Sequence, residues 1–264
     1  MQQDIHSLIL STIQEAYPDI SKHLILLIWS RAFGMAQANS DIDVMILVDE
    51  ANYALYKNIS VQKWFREASE DPWLEVYITH NGLKLLLEVK FITVVHCSNL
   101  VDYHAYMTAL PLADHAEYKN FKKDLKARYD SHYEKFLMKA YVGFFQHFKD
   151  MKGITEKEDS DMMRKALFIK KWAVLEDFLR LLYVIQKQGY PTAKWLLPLL
   201  QTTAVWPRAD TIVSRIIDMK TYDELLEIEK DIKSVINNEY MPERPYVNAR
   251  WKFLKEFKLN HQKN

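Results

Sequence analysis

The sequence predicts an α+β protein: a small mixed β-sheet with flanking helices, followed by an all-α helical bundle. Three observations predict it. Short, β-prone apolar runs at Leu24–Trp29, Asp43–Asp49 and around His80-Asn81-Gly82 all fall in the first hundred residues. Beyond residue 100, period-two alternation nearly vanishes and helical spacing of apolar side chains takes over. Only five glycines occur in 264 residues while aromatics reach 13%, a balance that suits long helices better than tight turns.

The elements follow in order. Residues 4–17 place Ile5, Leu8, Ile9, Ile13 and Tyr17 on one helical face, and Pro18-Asp19 ends that helix. Leu24–Trp29 is apolar and bounded by polar residues, as a buried strand is. Residues 30–37 suit one or two helical turns, interrupted by Gly34. DVMILVD, residues 43–49, is a second strand rich in branched side chains. A helix is expected over 52–68, where Tyr56, Ile59, Trp64 and Phe65 recur near helical spacing. In WLEVYITHNGLKLLLEVKFITVV, residues 73–95, two β-prone runs flank Asn81-Gly82, a strong hairpin signal.

Further helices are expected over 117–149, 159–188, 192–202, 208–218 and 221–237, with Pro191, Pro198, Pro207 and Pro242 as punctuation. Within 164–185, Leu167, Trp172, Leu175, Phe178, Leu179 and Leu182 mark a broad apolar face, core material for a bundle. The charged stretch 152–161 reads as a solvated loop whose EKEDSDMM run caps the next helix. The tail RWKFLKEFK, 250–258, is either a last bundle helix or a loosely attached segment. The organisation is a first domain over 1–112 and a helical domain over 113–264.

Composition narrows the function. Lys+Arg and Asp+Glu both number 35, and this neutrality disfavours a nucleic-acid partner, which needs a basic surface. A local basic cleft of Lys122, Lys123, Lys126 and Arg128 stays open. The single cysteine, Cys97, forms no internal disulfide. The first residues lack the basic start and long apolar core of a signal peptide, and the longest wholly apolar run, Leu24–Trp29, is too short to span a bilayer. A cytoplasmic protein is expected. The nine histidines show no metal-ligand spacing.

Between the two strands the sequence reads SRAFGMAQANSDID, residues 30–43. Asp41 and Asp43 alternate, so an extended chain aims both carboxylates to one side. Two carboxylates this close repel unless a cation sits between them, and hard oxygen ligands suit Mg²⁺ (or Mn²⁺) held together with substrate phosphates. Ser30 and Gly34 lie just before, where a hydroxyl and turn N–H groups can hold phosphate oxygens. An isolated Asp-x-Asp is a weak signal, more often a solvated strand start.

The ordered set of strand, Ser30, Gly34, and Ser40-Asp41-Ile42-Asp43 entering an apolar strand resembles the signature of the polymerase-β-type nucleotidyltransferases. The resemblance covers about the first hundred residues in order of elements. It implies Asp41 and Asp43 as metal ligands and catalytic residues, with Ser30, Arg31, Gly34 and Ser40 around the triphosphate. A third carboxylate is implied from a following strand. Glu88 is preferred, since it sits inside the more apolar run and needs a partner there; Glu75 is the alternative. The chain departs at one position: Trp29 stands where the family has glycine before the serine.

Together with a helical second domain, the pattern is similar to antibiotic-modifying and related small-molecule nucleotidyltransferases of the two-domain bacterial type. There GYPTAKWLLPLL, residues 189–200, offers Lys194 as a phosphate contact, with Arg164, Lys170 and Lys171 as further candidates. The resemblance implies transfer of a nucleoside monophosphate, AMP from ATP or the equivalent from another NTP, to a small-molecule hydroxyl. The alternatives are a catalytically altered relative that binds a nucleotide or partner, and a protein- or tRNA-modifying enzyme of a toxin–antitoxin type system. No membrane partner is expected, and a homodimer is left open.

Overall fold

Pro18 decides how the chain begins. In the computed structural model, which describes residues 2–63, 73–93, 99–112, 115–157 and 160–236, helix α1 (Gln2–Ala16) stops just before it and a 3₁₀ turn follows over Pro18–Lys22. Trp64, Phe65, Pro72, Cys97, Pro242 and the 250–258 tail lie outside the described residues. The chain divides into two compact units, Met1–Tyr129 and Asp130–Asn264.

In the first unit α1 is followed by β1 (Leu24–Leu27), the helical turn α2 (Trp29–Ala32), β2 (Ile42–Leu47) and α3 (Glu50–Lys63). Then come β3 (Trp73–His80), β4 (Leu83–Ile92), α4 (Leu100–Thr108) and β5 (Leu110–Pro111). The five strands lie in the order β3-β4-β2-β1-β5. Only β2 and β4 pair in parallel; the other pairs are antiparallel, so the sheet is mixed as expected. The β3–β4 turn is Asn81-Gly82 with φ of +51° and +77°, the pair of left-handed residues a two-residue type I′ hairpin requires.

Strand alternation sorts the two faces of the sheet. Ile25 and Leu27, Val44 and Ile46, and Leu87, Val89 and Phe91 are buried in one cluster with Ile5, Ile9, Ile13 and Tyr17 of and after α1. Tyr56 of α3 joins them, its ring 4.8 Å from Phe91 and 5.3 Å from Tyr17. The intervening residues, Asp43 and Glu88 among them, face the other way.

Several expectations need correction. The first strand ends at Leu27, two residues short of its apolar run, because the backbone turns into α2 at Trp29. Helix α4 and the two-residue β5 were not anticipated. Asn99 caps α4, its side chain accepting from the Asp102 N–H at 2.8 Å.

The second unit holds the later part of α5 (His115–Thr155), then α6 (Asp161–Ile185), α7 (Ala193–Leu200), α8 (Trp206–Asp218) and α9 (Tyr222–Ser234). Helix α5 runs into the stretch expected to be a loop, to Thr155. Ser160 then caps α6 by accepting from the Met163 N–H. Leu175, Phe178, Leu179 and Leu182 are buried as a bundle face should be, but Trp172 is exposed: α6 buries its C-terminal half, from Val174 to Ile185. Phe144 of α5 meets Phe178 of α6 at 5.6 Å, and the Tyr183 hydroxyl donates to the Leu196 carbonyl within α7. Thr221 and Glu224 form a reciprocal capping box on α9.

Candidate functional site

The site begins where β1 ends. Trp29 takes φ of +56°, a left-handed conformation rare for a bulky residue and natural for glycine. A single helical turn then carries Ser30, which is buried, and Arg31, which is half-buried. Gly34 closes the turn at φ of +70°: its N–H donates to the Arg31 carbonyl, and the Met35 N–H to the Ser30 carbonyl at 2.9 Å. These two bonds define a Schellman stop, so Gly34 is required for its φ; a Cβ there would meet nothing within 4 Å.

Arg31 ties this turn to the carboxylates. Its Nη2 donates to the Ser40 carbonyl at 2.7 Å and its Nε to the Asp41 carbonyl at 3.3 Å. The guanidinium therefore grips the backbone leading into β2. Burial lowers its pKa, opposed by the charges of Asp41 and Asp43. The Ser40 hydroxyl is committed to the loop, accepting from the Gln37 N–H at 2.9 Å.

Asp41 is exposed just before β2 and Asp43 is half-buried within it. Across the parallel pairing Asp43 stands opposite Glu88, and across the hairpin Glu88 stands opposite Glu75. Register partners share a face, so Asp43, Glu88 and Glu75 form a row over three adjacent strands. Glu88 is pushed up to about 7, first by burial, then by the charge of Asp43, its hydrogen bond with Asp43, and the charges of Glu75 and Asp41. The Asp43 and Glu88 carboxylates thus oppose each other's charge, a repulsion that a cation would remove.

This donor set fits a hard divalent cation. Among the described residues, no group of three His, Cys, Asp or Glu side chains forms a ready-made cage. Mg²⁺ is usually held by one or two carboxylates, with water and substrate phosphates completing its shell, and that is the arrangement available here.

The structure thus brings together Ser30, Arg31, Gly34, Ser40, Asp41, Asp43 and Glu88. Lys194 belongs to the second unit, at the start of α7, with its ammonium 5.6 Å from the Trp195 ring. Sequence reasoning missed the backbone role of Trp29, whose signal was its position where a glycine is expected. The Trp29 indole is half-exposed and meets Phe33 edge-on at 6.3 Å.

No family model matches the chain, and no curated protein matches it. Among solved structures it is similar to the crystal structure of a nucleotidyltransferase-like protein from Exiguobacterium sibiricum, with a TM-score of 0.50. The two share 11% identity, over 97% of this chain and 79% of that one. The likeness is one of fold. No helix among the described residues is long and apolar enough to cross a membrane.

Proposed function

We propose that the chain is a nucleotidyltransferase that moves a nucleoside monophosphate, AMP from ATP as the first candidate, to a hydroxyl of a small molecule. The observation that carries this is the row of Asp43 and Glu88, with Asp41, on one side of the sheet beside the Ser30 turn. Asp41 and Asp43 would hold Mg²⁺, or Mn²⁺, together with the triphosphate; the ion supplies charge neutralisation and orients the α-phosphate for in-line attack. The chain's own residues do the rest. The Ser30 hydroxyl and the turn that Gly34 closes hold the outer phosphates. Arg31 fixes the backbone of Ser40 and Asp41 so that the two aspartates keep their spacing. The acceptor oxygen bonds to the α-phosphorus, the bond to pyrophosphate breaks, and the hydroxyl proton passes to Glu88 or, if Glu88 would instead hold the ion, to water.

The backbone at Trp29 supports this reading over that of an altered, non-catalytic relative. An indole in place of glycine matters chiefly if it changes the turn, and here Trp29 adopts the conformation glycine favours. Titration calorimetry with ATP and Mg²⁺ tests the proposal. Wild-type protein binds Mg–ATP, and the Asp41→Asn/Asp43→Asn variant does not. Equal binding by both proteins would sink it.

A further inference from the structure

The first half of α6 turns large apolar side chains outward. Met162 is 73% exposed, Phe168 63%, Ile169 69% and Trp172 59%. Trp172 lies four residues from Phe168 and three from Ile169, so the three share one face of the helix; Met162, seven before Ile169, extends that face to about 15 Å, with the exposed Lys165–Asp161 pair on it between them. The Phe168 and Trp172 rings meet edge-on at 6.4 Å. Soluble proteins seldom leave such a stripe bare unless it meets another molecule.

Beside the stripe lies a cavity of about 450 Å³ whose wall includes Phe168 itself. Four cationic side chains, Lys157, Arg164, Lys171 and Lys220, line it above apolar Leu167 and Met219, and among the described residues its wall carries no carboxylate. Lys171 is fixed there: its ammonium donates to the Ile217 carbonyl at 2.7 Å and to the Met219 carbonyl at the end of α8. Among the described residues, acids lie close by, Glu156 bonded to Tyr222 among them. Asp161 pairs with Lys165, and Asp218 and Glu224 act on Lys171.

We propose that this stripe and its cation-lined cavity dock an acidic amphipathic helix of a partner protein. The apolar face matches anchors at i, i+3 and i+4 of such a helix, and its flanking carboxylates meet Lys157 and Lys220 at the rim of the cavity. Charge selects this occupant. A second copy of the chain would bring the same cations. Residues 237–264 carry six basic side chains, Arg244, Arg250, Lys252, Lys255, Lys258 and Lys263, against Glu239, Glu243 and Glu256. A single-stranded nucleic acid would find two edge-on rings and an aliphatic stripe rather than parallel stacking platforms.

The test uses the full chain and a labelled helical peptide with leucine at the anchor positions and glutamate elsewhere, read by fluorescence anisotropy. The glutamate peptide is expected to bind about tenfold or more tightly than its lysine counterpart, and more weakly as salt rises. The Phe168→Ser/Trp172→Ser variant loses that binding. Lys157→Glu/Lys220→Glu, which leaves the stripe intact, reverses the preference between the peptides. Equal affinity for the two peptides would overturn the proposal, as would tighter binding of a single-stranded RNA that the glutamate peptide displaces. So would binding of the glutamate peptide only after residues 237–264 are deleted, since the tail would then be the natural occupant.

Discussion

Glu88→Gln tests the carboxylate row without any substrate. In metal-free protein Glu88 faces Asp43, Asp41 and Glu75, and its pKa stands at about 7 against 4.5 when free. A carboxyl raised in the fold binds its proton more tightly folded than unfolded. Its contribution is fully present below about pH 4.5 and is lost as pH rises through about 7. The whole difference corresponds to about 3 kcal/mol. Glu88 is only half-buried, so solvent screening reduces this to about 1 kcal/mol. For a unit of this size that is a shift of roughly 4 °C in Tm. In thermal scans with EDTA, the wild-type Tm should therefore fall by about that much between pH 5 and pH 8 relative to Glu88→Gln, the two proteins coinciding near pH 5. Mg²⁺ should return the wild type at pH 8 and raise the variant, which keeps Asp41 and Asp43, by less. Parallel curves for the two proteins would refute the raised Glu88 carboxyl, and with it the repulsion between Asp43 and Glu88.

Three further outcomes follow from the turn beside the row. Trp29→Gly should be more stable than Trp29→Ala by about 1 kcal/mol in urea unfolding, because both lose the indole but only glycine accepts φ of +56° freely. Gly34→Ala should destabilise the protein by about 1 kcal/mol through its φ of +70° alone, since the space for a methyl is open. Arg31→Met removes the grip on the Ser40 and Asp41 carbonyls. It should weaken Mg–ATP binding about tenfold in calorimetry while lowering stability by about 2 kcal/mol, and an unchanged affinity would make the grip irrelevant to the site.

The sheet was legible in the sequence where local chemistry marks it. Asn81-Gly82 marked the hairpin, and the branched apolar run in DVMILVD marked β2. What local pattern does not carry was missed. The two residues of β5 are too few to alternate, and α4 announced itself only by the Asn99 cap. Trp172 followed the helical period of the bundle face, yet that period cannot say how far along α6 the packing continues. At the site, the Asp-x-Asp spacing was visible and the apolar run around Glu88 favoured it over Glu75, whereas the place of Glu88 beside Asp43 could not be read from either strand alone. It depends on the parallel register of β2 with β4, a pairing between segments more than forty residues apart that sets Glu88 directly opposite Asp43.

The most direct test of the proposed chemistry is a crystal soaked with a non-hydrolysable ATP analogue and Mg²⁺. The account predicts a metal held by Asp41 and Asp43 with Glu88 alongside, the outer phosphates on the Ser30 turn, and the Trp29 indole clear of them. An indole occupying the phosphate position, or a metal bound away from Asp43, would contradict it.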